Sequence, residues 1–282
     1  MKQYYKIAGL QIAISMEDGL WSGEERTLAP FLKQDGPTDH CYYFEMVDRL
    51  EEPIGDLVTW ADNAQIFSHH QHQLRYIGAT SQDWEKAYVR VCHSGCEHYV
   101  QLLRSQYLEK IGTKTILTGI GFEHLIAQNN GFILHCSNIV HNGKAILFTA
   151  PSETGKSTQA ELWKDFRGAR IINGDRAAVR IVNGVAMAEG IPFAGSSQYC
   201  LNESHPISAV VYLGQAKQST ICPMRGREAF SRIWEGITLN VWDRDDVEKV
   251  SDCLMKLITS VPVYRLECTP DESAVKALEA ML

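Results

Sequence analysis

Apolar and polar positions alternate through the first part of the chain. LQIAI (Leu10–Ile14), CYYFEMV (Cys41–Val47), LRYIGA (Leu74–Ala79) and AYVRVC (Ala87–Cys92) set apolar side chains at or near every second position, the period of a strand with one face on a core. Polar, turn-rich stretches such as KQDGPTDH separate them, and together they predict a mostly antiparallel sheet. The pattern changes at TKTILTGIGFEHLIAQNNG (Thr113–Gly131). There Ile116, Leu117, Ile120, Leu125 and Ile126 recur at helical spacing until Asn129-Asn130-Gly131 stops the run, which predicts one helix and a boundary. The expected division is a mostly β domain over 1–130 and a second domain over 131–282.

The second domain reads as α/β. FILHCSNIV (Phe132–Val140) and KAILFTA (Lys144–Ala150) are strand-like runs joined through Asn142-Gly143, and ARIING, AAVRIV and VAMAEG repeat the pattern around Asn183-Gly184. Asn-Gly favours a tight hairpin because both central residues must reach positive φ. The sheet is therefore mixed, since a doubly wound parallel sheet would have put helices at those turns. REAFSRIWEGI and DVEKVSDCLMKLITSV read as amphipathic helices and VYRLEC (Val263–Cys268) as a strand. A last helix is announced by Thr269 as N-cap, Pro270 at the first helical position and Glu272.

Composition narrows the function classes. The chain has 282 residues, 45% of them hydrophobic and 22% charged, and a formal net charge of −7. That acidic balance argues against nucleic-acid or membrane partners, which need a basic field, so an anionic ligand requires a local site. The longest apolar runs, such as ISAVVYLG (Ile207–Gly214), are far short of the roughly 20 residues that span a bilayer, and the N-terminus lacks a signal-peptide pattern. Cytoplasmic residence is the expectation, and the eight scattered cysteines suit reduced thiols.

The candidate chemistry begins in ILFTAPSETGKSTQAELW (Ile146–Trp163). A strand, a loop over 150–155 and a helix from Lys156 stand in the order of a Walker-type phosphate loop, where backbone N–H groups, a helix N-terminus and a lysine converge on phosphate while a hydroxyl reaches Mg²⁺. Ser152, Glu153, Thr154, Gly155, Lys156, Ser157 and Thr158 would line the nucleotide, with Lys156 on phosphate and Ser157 on the metal. Two residues depart from the G-x-x-x-x-G-K-[ST] pattern. Ala150 stands at the first glycine, where positive φ would be costly. Glu153 brings a carboxylate to the rim of an anion site, where it repels phosphate unless it points to solvent. Asp175, at the end of a strand, is the candidate second metal ligand. His135 lies on the strand that pairs with the loop's own strand, so a hairpin brings it beside the loop, where it would take a proton from an acceptor hydroxyl.

Weaker signals surround these. Cys92, His93, Cys96 and His98, with His69, His70 and His72, offer zinc-type ligands, but the cysteine spacing lacks a second pair. Arg176, Arg180, Arg225 and Arg227 are each able to hold a phosphate or a carboxylate, and the sequence does not choose among them. Trp234 and Trp242 read as core or interface aromatics.

FILHCSNIVHNGKAILFTAPSETGKSTQAELW, RGARIINGDRAAV and GIPFAGSS (Gly190–Ser197) together resemble the catalytic core of HPr kinase/phosphorylase and its relatives in the phosphoenolpyruvate-carboxykinase-like superfamily, over about residues 130–270. The resemblance implies an α/β fold, the HPr kinase C-terminal mixed sheet with its P-loop, preceded here by a mostly β domain that recruits or shapes the acceptor. It implies ATP and Mg as cofactors, and His135, Lys156 and Asp175 as catalytic residues, with Ser157 and Asp175 on the metal. The family's acidic pair is reduced to Gly174-Asp175, which weighs against a reverse, phosphorolytic reaction. The N-terminal half does not match the bifunctional enzymes. The nearer analogy is to stand-alone kinases that phosphorylate a serine-type hydroxyl of a peptide, protein or small molecule. A nucleotide-binding regulator that has lost catalysis and a carboxykinase-like phosphotransferase are the alternatives, and a homo-oligomer is left open.

Overall fold

The computed structural model describes residues 1–18, 20, 26–61, 63–107, 111–195 and 199–282. The chain divides into two compact units, Met1–Phe122 and Glu123–Leu282. The Asn129-Asn130-Gly131 turn thus falls inside the second unit rather than between the two.

The first unit is built on β1 (Lys2–Ile7), β2 (Leu10–Met16), β3 (Leu32–Lys33), β4 (His40–Val47), β5 (Asp56–Ala61), β6 (Ala64–His69), β7 (His72–Ile77), β8 (Val89–Ser94) and β9 (Glu97–Leu103). They form one nine-stranded sheet in the order β3-β1-β2-β4-β9-β8-β7-β6-β5. Most neighbours are antiparallel, but β2–β4 and β4–β9 are parallel. Alternation does what the sequence promised: in β4, Tyr42, Phe44 and Met46 are buried while Glu45 is exposed. α1 (Thr113–Ile120) follows, and the buried Tyr42 hydroxyl donates to Ile120 O at 3.0 Å. The expected single helix over 113–128 is two. Gly121 takes φ 61 and ends α1, so the chain restarts as α2 (Phe122–Gln128). Helical spacing continued through the break, and the left-handed glycine alone decided it.

The second unit contains β10 (Gly131–His141), β11 (Lys144–Thr149), α3 (Lys156–Arg167), β12 (Arg170–Asn173), β13 (Arg176–Val182), β14 (Val185–Gly190), β15 (Ser204–Gln215), β16 (Thr220–Met224), α4 (Gly226–Trp234), β17 (Ile237–Thr238), α5 (Arg244–Ser260), β18 (Val263–Cys268) and α6 (Glu272–Glu279). Its strands run β11-β10-β13-β14-β15-β18-β16, and β11 also pairs in parallel with β15, so the sheet is mixed. Both Asn-Gly hairpins form with positive φ at Asn142, Gly143, Asn183 and Gly184. Along β11 the side chains alternate between two cores. Ala145 and Leu147 pack on the side of α4 and α5, and Ile146 and Phe148 on the side of α3 and α6. Burying each large side chain stabilises by roughly 1.5–3 kcal/mol, so the strand that leads into the 150–155 loop is held from both faces.

Two details differ from expectation. α6 is capped by Asp271, whose carboxylate accepts from Ser273 N at 2.8 Å, because Pro270 sits one place too early for Thr269 to cap. The α5 N-terminus is tied to α2 by a buried carboxylate: Asp246 accepts from Gln128 and Asn240 and lies 2.9 Å from His124 Nδ1. Among the described residues no helix is long and apolar enough to cross a membrane.

Candidate functional site

The site lies where β10 changes neighbours. Its first half, Gly131–His135, pairs with β13 and β17, and its second half, Cys136–His141, pairs with β11 and β12. β12 and β13 are in effect one strand interrupted at Gly174-Asp175, opposite Cys136 and Ser137. Asn173 shapes the interruption. Its Oδ1 accepts from the N–H groups of Asp175 and Arg176 at 2.9 and 3.0 Å, and its Nδ2 donates to Ile191 O at 2.7 Å. Cys136 N donates to Asp175 O at 3.0 Å, and on the other side Thr149 Oγ1 donates to His135 O at 3.1 Å. The end of β11 and the aspartate at the break therefore meet across the His135–Cys136 peptide of β10. A break in a ladder re-aims side chains in this way.

In the loop, Ala150 carries no positive φ and is buried against the α3 core. The left-handed residues are Glu153 (φ 62) and Gly155 (φ 108). The missing first glycine is accommodated by placing the strained turn later, at a cost of about 1–2 kcal/mol for the non-glycine position. Glu153 and Ser152 are exposed, which keeps the carboxylate in water. Gly155 is the N-cap of α3 and no side chain caps the helix, so its first N–H groups are left for an anion. A Cβ built on Gly155 would meet nothing within 4 Å; the glycine serves the backbone angle and the space beside it is open. Lys156 is buried, and its Nζ donates to Ala150 O and Pro151 O at 3.0 and 3.1 Å. Burial lowers its pKa, opposed by Cys136 and Asp175. A desolvated cation folded onto neutral loop carbonyls would gain a stronger partner in an anion. Ser157 and Thr158 are exposed on the first turn. Thr154, Gly155, Thr158, Gln159, Cys268 and Pro270 are among the residues lining a cavity of about 440 Å³ beside the loop.

Across the junction, His135 Nε2 lies 3.2 Å from Asp175 Oδ1. That contact leaves Nδ1 as the ring nitrogen available to take a proton. The Asp175 pKa is lowered, first by the hydrogen bond with His135 and then by the charges of Arg176, His135 and Lys156, against a desolvation penalty. The carboxylate is thus ionised at neutral pH. Arg176 Nε lies 3.4 Å from Asp175 Oδ2, and its Nη1 donates to Thr238 Oγ1 at 3.3 Å. Gly195, at φ 55, comes so close over Asp175 that a Cβ there would lie 2.8 Å from the aspartate Cβ. Ser196 and Ser197, at the end of the quoted GIPFAGSS segment, lie outside the described residues.

His135, Lys156 and Asp175 are brought together; the other candidates are dispersed. Arg180 pairs with Glu189 at 3.4 Å, and Arg225 and Arg227 stand at the start of α4. Trp234 stacks on Phe230 at 5.4 Å and packs against the core. The zinc-type set does not converge. His98 spends both ring nitrogens on His40 and His93, each at 3.0 Å, and Cys96 is exposed. Among the described residues the His, Cys, Asp and Glu side chains that converge as a possible cation site are His124, Asp243 and Asp246, but Asp246 is already saturated by side-chain donors and Asp243 caps α5. Sequence reasoning left Arg176 undecided and overlooked Asn173. The Asn-Gly-Asp run at a strand end was the available signal, because Asn there bonds its own backbone two and three residues on.

No family model matches the chain, and no curated protein does. Among solved structures, the chain is similar to the HPr(Ser) kinase/phosphatase from Coxiella burnetii, with 10% identity, a TM-score of 0.33, and coverage of 53% of this chain and 95% of that one.

Proposed function

We propose that the chain is an ATP- and Mg²⁺-dependent kinase that transfers the γ-phosphoryl group to a serine-type hydroxyl of a peptide, protein or small molecule. The observation that supports this most is the meeting, at the break between β12 and β13, of a strand-loop-helix turn carrying a buried lysine with a His135–Asp175 pair 3.2 Å apart. The groups present suit the ligands. The uncapped N-terminus of α3 and Lys156 suit the phosphates, and a carboxylate kept ionised by its neighbours, with the Ser157 hydroxyl, suits a hard cation that keeps several waters. The cavity beside the loop has room for the nucleoside.

Bound Mg·ATP would supply the phosphoryl group and neutralise part of its charge. Loop N–H groups and Lys156 hold the phosphate oxygens in place. Asp175 orients the His135 ring through Nε2, so that Nδ1 faces the acceptor hydroxyl and takes its proton. Phosphoryl transfer asks little covalent work of a protein beyond this placement and charge neutralisation.

The test is a melting curve with ADP and ATP, with and without Mg²⁺, followed by a screen of serine peptides, free serine and hydroxylated metabolites read as phosphate transfer by mass. Stabilisation by nucleotide is expected from mass action, about 2.7 kcal/mol at a hundredfold excess over the dissociation constant. No shift with any nucleotide at millimolar concentration would remove the reading.

A further inference from the structure

Arg176 occupies a position that neither the loop nor the His–Asp pair explains. It stands directly opposite His135 in the β10–β13 ladder, so the two side chains project from the same face of the sheet. Its guanidinium is fixed from three sides: the Phe193 ring 5.5 Å from its carbon, Thr238 Oγ1 at 3.3 Å and Asp175 Oδ2 at 3.4 Å. The contact with Asp175 is not the short forked pair that a dedicated arginine–carboxylate partnership makes at about 2.7–2.9 Å. Nε is buried there without a hydrogen bond. A guanidinium has five N–H donors, and among the described residues only the one to Thr238 makes a hydrogen bond with a side-chain acceptor.

We infer that Arg176 grips the terminal phosphoryl group of a nucleoside triphosphate, making this site sense the third phosphate. The inference rests on the kinase reading above. A phosphoryl group passing from the loop to a hydroxyl at His135 must cross the space between Lys156 and His135, and Arg176 borders that space on the His135 side. Asp175 lies 3.2 Å from His135 and 3.4 Å from Arg176, and Lys156 starts the helix after the strand that pairs with β10, so the four groups share one electrostatic neighbourhood. In it a single carboxylate faces three basic side chains, a balance that a further phosphate charge improves. Phe193 and Thr238 hold the guanidinium plane in advance, and such preorganised donors act without reorganisation at the moment of transfer. A diphosphate would occupy the loop and Lys156 and leave Arg176 unused.

The experiment needs no acceptor. Affinities of the full chain for ADP and for a non-hydrolysable β,γ-imido analogue of ATP are measured by calorimetry, with Mg²⁺ and again in EDTA, for wild type, Arg176→Ala and Arg176→Lys. The wild type should prefer the triphosphate by about 10- to 100-fold, the worth of charge-assisted hydrogen bonds to one group. Arg176→Ala should bring the triphosphate down to the level of ADP, leaving ADP within about threefold, and Arg176→Lys should keep part of the preference. The EDTA series separates this from a metal effect transmitted through Asp175, because the loss must persist there. Equal weakening of both nucleotides, or an unchanged preference, would overturn the inference while leaving the kinase reading intact. Absence of any nucleotide binding by the wild type would overturn both. Circular dichroism checks the fold of Arg176→Ala, and Arg176→Gln, which keeps length and polarity, stands in if that variant is unstable.

Discussion

The two sides of the site are built in opposite ways. The side proposed for phosphate, Ala150–Thr158, is contiguous: one strand end, one loop and one helix turn supply the angles, the N–H groups and the lysine. The side proposed for the acceptor is assembled from His135 on β10, Asp175 at the break before β13, Arg176 on β13, Thr238 on β17 and Phe193 in the segment after β14. A contiguous site is limited by local backbone geometry and a dispersed one by register. The phosphate side tolerated its irregular residue, Ala150, by moving the left-handed turn to Glu153. A one-residue slip of β13 against β10 would destroy the acceptor side, since His135 and Arg176 would no longer share a face.

The largest expected effect breaks the contiguous side. Lys156→Ala should abolish both turnover and the nucleotide-dependent melting shift. Because burial lowers the lysine's pKa, the charged form is already disfavoured in the empty fold, and the variant should be no less stable without ligand. A variant that melts like wild type with saturating Mg·ATP would show that this side does not bind phosphate.

His135→Ala should do the reverse, leaving nucleotide affinity within a few-fold and lowering phosphorylation by about 10²–10⁴, the usual worth of a positioned general base. Equal rates for wild type and variant on a true acceptor would take His135 out of the chemistry. Asp175→Asn touches both sides. Mg·nucleotide affinity and turnover should fall together, with partial rescue by Mn²⁺ in a metal titration.

Gly174→Asp sharpens the comparison at smaller amplitude. Gly174 is not among the positive-φ residues, so the backbone accepts a side chain, and a second carboxylate beside Asp175 should tighten the Mg²⁺ dependence. An unchanged Mg²⁺ response in a stable variant would sink the idea that metal coordination is limiting. The smallest effect is on stability against pH. The Asp175 pKa is depressed below its ordinary value of 3.8, so its contribution is fully present above the unfolded pKa of about 3.9 and is lost as pH falls through the folded value. Melting temperatures of wild type and Asp175→Asn should therefore converge only in acid, and a gap that closes between pH 5 and 8 would contradict the assignment.

The sequence by itself determined the local pieces. Alternation predicted β2, β4, β7 and β8, the Asn-Gly pairs predicted both hairpins, and the run around Gly155-Lys156-Ser157 predicted the order of β11, a loop and α3. Each rests on a short-range rule: side-chain period, positive φ at a turn, or the orphan N–H groups of a helix start. The hairpin argument also reached across the chain far enough to set His135 beside the loop.

What only the tertiary structure decided is everything that depends on which strands lie side by side. Two parallel pairings in the first unit, the double use of β10, the break that turns Asp175 toward His135 and the placement of Arg176 opposite His135 all follow from register between segments distant in sequence. Gly121 gives the same lesson in miniature. Its neighbours kept helical spacing, yet its left-handed angle split the helix, because a periodic pattern states which face is apolar and says nothing about where the backbone turns.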